Sequence, residues 1–480
     1  MKILEKNKDK IILTVCIFLA LLLIFFVYLK LTLQDKYFPY WDPYNIKLIS
    51  ETVGEKEYLF STWDPLFYFN TKTLHELTKL DYYYIIKYGK FFFIFLLFFI
   101  LYLFFKEVTN SNKIKDKFLI IVSLLYFFFC WYTFLRFSMT LRENFVISLG
   151  FIFLFLLTKF EQKEKLSYSN VIPLSFIYSY IIAAHMLASF IVTGIVGFYF
   201  LNCLIKKKNI KQVLLLIVLT GIISSFFIFH QYAGIAAQLH RGQEFIEEKG
   251  FTIAREYIKS TYFNVPLDIL IGIMGLISFV TILLLKKEQF RKHKIFLFYA
   301  LIILAFFLVA YIEQFGIKQN RFAIYIYIIF TFLLFYFLKV IKIVKYNWLI
   351  LPLILVLLST TMIPRVLSYP GYRPINERNI NFVEKLVEEG KLNLNEKIYC
   401  GPSACVALNY LFTDSYKNRE SIDKKNLADL NPDKDQIVIF DDDWFAYERI
   451  DKKFLDFIKI NKDKIFIDPK LLQRFNVWGY

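Results

Sequence analysis

Apolar runs long enough to cross a lipid bilayer recur along this chain, and no other property limits its fold so tightly. A helix spanning the hydrocarbon core needs about 20 mostly apolar residues. Eleven blocks approach that length: 11–33, 88–105, 118–135, 144–158, 171–184, 186–205, 213–229, 267–285, 295–312, 322–338 and 348–363. In lipid every backbone amide must be paired within its own segment, so the blocks read as helices. The fourth and fifth are short. The break at His185 leaves two readings open, a kink in one segment or two separate helices. Hydrophobic residues make up 57% of the 480, 56 of them Phe, against about 45–50% in a soluble domain. Disordered, collagen-like and disulfide-framework chains are thereby excluded.

The formal net charge is +17, and the cations alternate with the blocks. Lysines crowd the segments near Lys2–Lys10, Lys106–Lys117, Lys159–Lys165, Lys206–Lys211, Lys286–Lys294 and Lys339–Lys345. The short turns of the opposite side carry only Arg136 and Arg142, then Lys318 and Arg321. Lys and Arg collect in cytoplasmic loops. The N-terminus is therefore expected inside, and an odd number of spans puts the C-terminus outside. The same pattern accounts for the positive charge without nucleic acid, for which no basic-aromatic motif is present. The first block is longer than a cleavable signal's apolar core and reads as a start-anchor helix.

The expected fold is thus an all-α polytopic membrane protein with a small extracytoplasmic α/β domain. Residues 1–363 form the membrane domain, with outer loops 34–87 and 230–266, and residues 364–480 form the C-terminal domain. In the tail, Asn379–Glu389 reads as an amphipathic helix and Ala404–Leu411 as a small-residue helix. Lys397–Tyr399 leads into Gly401-Pro402-Ser403 and the small-residue helix, and Gln436–Phe440 and Lys464–Ile467 read as short strands. Cys400 and Cys405 lie close enough in sequence for a disulfide or for two free thiols. Asp441-Asp442-Asp443 at a strand end reads more simply as a solvated turn than as a cation site.

Three outer elements carry candidate chemistry. Tyr40-Trp41-Asp42-Pro43-Tyr44 follows the first span, and Trp63-Asp64-Pro65 repeats its core 22 positions later. Asp before Pro also starts helices, so a capping role stands beside a functional one. Arg142-Glu143 opens the fourth span, where ionisable groups are costly unless paired or used; a snorkelling anchor is the alternative. Arg321-Phe322-Ala323-Ile324-Tyr325 opens the tenth span from outside. An Arg there can fork onto a phosphate, and a helix N-terminus favours an anion. Span-end Arg also commonly snorkels.

In order and spacing these strings resemble the layout of GT-C membrane glycosyltransferases, which take sugars from polyprenyl-phosphate donors. The resemblance is closest to the catalytic subunit of oligosaccharyltransferases. Trp41-Asp42-Pro43-Tyr44 is similar to its first-loop acidic string. Leu141-Arg142-Glu143 keeps the final acid of its second acidic motif, and Arg321 to Tyr325 is similar to its lipid-phosphate string. The Trp-Trp-Asp-Tyr-Gly string that reads a peptide acceptor is missing; Asp442-Asp443-Trp444-Phe445 is the nearest substitute. The resemblance implies a transferase moving a sugar to an acceptor on the outer face of the cell membrane. Asp42 would be general base, or a ligand with Glu143 for Mg²⁺ or Mn²⁺. Arg321, Tyr325, Arg142 and Asp64 would bind substrate. The expected partners are the polyprenyl-phosphate donor and membrane lipid. A lipid or glycan transporter and a non-catalytic scaffold are the rival readings.

Overall fold

The computed structural model describes residues 2–34, 47–51, 65–111, 113–130, 133, 137, 141–162, 166–225, 265–285, 287–309, 320–340, 377–412, 418–422, 430–440, 456–457, 460–461 and 463–467. The block 348–363 lies outside them, as do Asp42 and Asp64. The chain divides into two compact units. One holds Met1–Leu31, Leu59–Asn70 and Tyr88–Tyr369; the other holds Thr32–Tyr58, Thr71–Lys87 and Pro370–Tyr480.

The first unit is helical. Its long helices are α1 (Lys2–Gln34), α3 (Tyr82–Val108), α4 (Ile114–Phe129), α5 (Leu141–Gln162), α6 (Tyr168–Ala184) and α7 (Met186–Lys206). After them come α8 (Ile210–Ser225), α9 (Val265–Leu285), α10 (Lys287–Val309) and α11 (Asn320–Val340). A shorter helix, α2 (Pro65–Thr78), precedes α3. Four described stretches, Ile11–Leu29, Tyr82–Val108, Asn144–Gln162 and Leu187–Lys206, are long and apolar enough to cross a membrane, and five shorter apolar helices accompany them. The protein is a polytopic helical membrane protein, as the apolar blocks require.

Two boundaries differ in detail from the sequence reading. α4 stops at Phe129, short of Leu135. Cys130 takes extended backbone (φ −63°, ψ 137°) and its thiol turns toward Thr133 Oγ1, 2.8 Å away. At His185 the structure decides for two helices. His185 is extended (φ −166°, ψ 118°), and its Nδ1 accepts the Ala188 N–H at 3.3 Å, capping α7.

Lipid tails give helices no hydrophobic reason to associate, so packing and interhelical hydrogen bonds must hold them. Tyr28 of α1 donates to the Phe128 carbonyl of α4 (3.1 Å), and Tyr178 of α6 to Thr193 of α7 (2.6 Å). Ser179 of α6 donates to the Thr220 carbonyl of α8 (3.3 Å). Among the described glycines, Gly275 of α9 is the one that approaches another helix's backbone, that of α11. A Cβ built at Gly275 would stand 2.6 Å from Leu333 Cβ and 2.7 Å from the Leu333 carbonyl oxygen. Backbone cannot swing aside as a side chain can. Gly275→Ala is therefore expected to destabilise the unit by about 1–3 kcal/mol, as overpacking does. Gly197→Ala, which meets nothing within 4 Å, is the control. Resistance to SDS unfolding of the two variants checks the contrast.

The helix ends that carry the basic segments share one polar network. The Glu161 carboxylate of α5 accepts the Tyr199 hydroxyl of α7 (3.0 Å). It also pairs with Lys206 of α7 (3.5 Å) and Lys294 of α10 (3.9 Å). Nearby, Lys339 of α11 pairs with Asp116 of α4 at 3.2 Å.

The second unit contains a four-stranded parallel sheet ordered β2-β1-β3-β4. Its strands are β1 (Ile398–Cys400), β2 (Arg419–Ser421), β3 (Gln436–Ile439) and β4 (Phe466–Ile467). Helix α12 (Glu377–Glu388) turns Ile380, Val383 and Leu386 inward at helical spacing. It ends at Gly390, whose φ of 66° suits a residue without Cβ. Helix α13 (Pro402–Leu411) follows β1, and Cys400 is joined to Cys405 in its first turn. The expected α/β domain is present. Strand β2 escaped the sequence reading.

Candidate functional site

The helix that carries the second acidic string and the helix that follows Asp64 meet at one aromatic ring. α2 opens on Pro65, the residue after Asp64, and Pro suits the first helical position. Phe67 of α2 and Phe145 of α5 have ring centroids 6.2 Å apart. The Phe145 ring also meets Phe93 of α3 (5.0 Å) and Tyr180 of α6 (5.6 Å). Asn70 Nδ2 donates to the Tyr180 hydroxyl. Four helices are thus fixed around a residue two positions after Glu143. The Phe93 and Tyr180 contacts are edge-on and the Phe67 contact is tilted; such aromatic pairs add to area burial and favour defined geometry.

Arg142 and Glu143 lie on the first turn of α5, and Arg321 on the first turn of α11; their side chains are outside the described set. Beside Glu143, Asn144 is fully buried. Its Nδ2 donates to the Phe137 carbonyl (3.1 Å), while its Oδ1 accepts nothing among the described residues. Tyr325 is buried, and its carbonyl accepts the Tyr299 hydroxyl of α10 at 2.9 Å. The Tyr299 ring in turn stands 5.5 Å from Phe151 of α5. So α10 links the helix that begins with Arg142-Glu143 to the helix that begins with Arg321. The Tyr325 ring is packed in the bundle, which is where a residue shaping a pocket wall or a plain core residue would both sit.

The structure adds cations that the sequence reading passed over. Lys87 and Lys90 lie on the first turns of α3, and each is less than a tenth exposed. Lys87 donates to the Tyr83 hydroxyl, and Lys90 stands 5.9 Å from the Phe91 ring centroid. Both carry the same sequence signal as Arg142, because a lysine at the mouth of an apolar block is costly unless it is used or paired. Among the described residues no group of three or more His, Cys, Asp or Glu could hold a metal ion. That set does not include Asp42 or the Glu143 side chain.

Neither a protein-family profile nor a curated protein sequence matches this chain. A solved structure does. The crystal structure of ArnT from Cupriavidus metallidurans in the apo state is similar with a TM-score of 0.53 and 12% identity, covering 92% of this chain and 95% of that one. At that identity the likeness concerns fold alone.

Proposed function

We propose that the protein is a membrane glycosyltransferase that moves a sugar from a polyprenyl-phosphate donor to an acceptor on the outer face of the cell membrane. One observation carries the reading: the likeness in fold to ArnT extends over 92% of the chain. In the sequence the acidic and Arg strings fall in the loop after the first apolar block and at the starts of the fourth and tenth blocks. Fold by itself is a weak warrant for activity. The strings supply the residue-level support, and the likeness to the oligosaccharyltransferase catalytic subunit goes no further than they do.

In the proposed reaction an acceptor hydroxyl attacks the anomeric carbon. The bond to the phosphate oxygen breaks, its electron pair leaves with the polyprenyl phosphate, and the hydroxyl proton passes to Asp42. Arg321 offsets the negative charge that grows on the leaving phosphate. Lys90 adds a second cation at the mouth of α3. Arg142, Asp64 and Tyr325 shape the substrate groove. Asp42 and Glu143 are oxygen donors of the kind Mg²⁺ or Mn²⁺ prefers. The Cys400–Cys405 disulfide supports an outward tail, since such bonds persist in oxidising compartments.

The test is transfer of labelled sugar from defined polyprenyl-phosphate donors by the purified protein in liposomes. Arg321→Ala is expected to raise the donor KM by about 10- to 100-fold, the equivalent of a charged hydrogen bond at ~1.5–3 kcal/mol. The acceptor KM should stay near its parent value. A change confined to the acceptor would remove the phosphate from Arg321.

A further inference from the structure

We infer that the end of α2 and the turn into α3 form a lipid-docking surface, on which Leu74, Leu77 and Leu80 rest among the headgroups and upper acyl chains of the leaflet that α3 enters. The inference stands apart from the transferase reading. Leu74 is 46% exposed, Leu77 78% and Leu80 50%. A single exposed leucine needs no explanation, but three within seven residues make a patch, and patches of that kind mark contacts. Leu74 and Leu77 share one face of α2, because residues three apart are neighbours on a helix.

The turn gives the patch a fixed shape. α2 ends at Thr78. Lys79 takes left-handed backbone with φ 58°, and its N–H donates to the His75 carbonyl at 2.8 Å. Thr78 Oγ1 accepts the Leu80 N–H at 3.3 Å, and His75 Nδ1 donates to the Leu80 carbonyl at 2.6 Å. The His75 ring stacks on that of Tyr82, with centroids 4.3 Å apart. Asp81 Oδ1 accepts the Tyr83 N–H at 2.7 Å and caps α3. Leu80 is thereby held at both of its backbone groups while its side chain is left outward.

The helix that follows names lipid as the occupant. α3 has 27 residues, so at about 1.5 Å per residue it is about 40 Å long against a hydrocarbon core of about 30 Å. Its ends reach headgroup depth, and Leu80 stands two positions before its first residue. α3 opens on Tyr82-Tyr83-Tyr84, and tyrosine collects at that depth. Tyr84 and Tyr88, one turn apart, are exposed on α3, so outward side chains continue from the patch into the span. Lys72 and Lys79 balance Glu76 and Asp81, which leaves apolar contact rather than charge to hold the surface. Thr71–Lys87 group with the C-terminal sheet in the second unit, so the docking gives that unit a lipid attachment of its own.

Bromolipid quenching on the full chain in nanodiscs tests this. An environment-sensitive fluorophore is placed at Leu77→Cys in a Cys16→Ser background, since Cys130 and Cys203 are buried and Cys400 is bonded to Cys405. In phosphatidylcholine brominated on its acyl chains the probe should lose at least about half of its emission, as an apolar face sunk to the acyl boundary does. The same probe at the exposed Glu76→Cys should lose less. Adding Leu74→Ser and Leu80→Ser should shift the Leu77 probe from docked to undocked by about ten-fold or more. Both side chains are exposed, so resistance to SDS should not change. Replacing about a third of the lipid with phosphatidylglycerol should leave emission unaltered, and a large gain in quenching would overturn the apolar basis. Equal emission in brominated and plain lipid would overturn the docking. A probe shielded from aqueous iodide yet untouched by bromolipid would put a second copy or another protein on the patch and overturn lipid as its occupant.

Discussion

Asp42→Ala should lower sugar transfer by about 10³-fold or more while the protein still inserts and folds, since a positioned general base is worth roughly 10²–10⁴. The carboxylate is the only proton acceptor in Tyr40-Trp41-Asp42-Pro43-Tyr44 that is ionised at neutral pH. Its flanking Trp and Tyr favour the water–lipid boundary, where a lipid-linked donor presents its phosphate. Asp42→Asn should fail as completely, because the amide keeps the shape and loses the base. Asp64 makes the contrast. It immediately precedes Pro65 at the start of α2, the slot where a carboxylate caps a helix. Asp64→Ala should cost about 1 kcal/mol of stability, and Asp64→Asn, which keeps a capping oxygen but loses the groove charge, should change the acceptor KM and leave kcat near the parent value. If Asp64→Asn abolished transfer and Asp42→Asn spared it, the base would belong 22 positions further along the chain. Initial rates at saturating donor, with surface expression as the insertion control, separate these outcomes.

What could be read from the sequence follows from which physical signals are strong. Spans were legible because lipid demands paired amides and apolar side chains over a whole segment, so α3 and α7 needed no neighbours to be recognised. α12 was legible because Ile380, Val383 and Leu386 keep helical spacing. β2 was not, because Arg419-Glu420-Ser421 is a polar edge strand whose pairing with β1 depends on where the chain returns. A separate C-terminal unit was legible, but its full membership was not. Nothing in the composition of residues 32–58 or 71–87 says that they group with the tail. At the candidate site the strings around Asp42, Glu143 and Arg321 stood out through unusual charge beside apolar blocks. The ring of Phe145 did not, since one Phe among 56 carries no signal until Phe67, Phe93 and Tyr180 surround it. Lys47 looked like any loop lysine, although its Nζ donates to the Tyr410 carbonyl, 363 residues away.

Glu161→Leu is expected to be the most destabilising single change in the membrane unit, by about 3–5 kcal/mol, because it removes one partner from a buried ion pair. The carboxylate side chain is 10% exposed and Lys294 is 13% exposed, so water screens their attraction poorly. It joins three helices, α5, α7 and α10, through Tyr199, Lys206 and Lys294. Removing it takes away the charge that Glu161 sets against Lys294 and the carboxylate that accepts the Tyr199 hydroxyl. Glu161→Gln should be milder, since the amide oxygen still accepts from Tyr199. Lys206→Ala should cost no more than about 1 kcal/mol, because that lysine is 37% exposed and already solvated. The order Leu, then Gln, then the Lys206 variant is the content of the prediction, measured as the SDS fraction needed to unfold half of each protein. Equal loss from Glu161→Leu and Lys206→Ala would mean that the network behaves as a surface pair, and that α5, α7 and α10 are held by packing alone.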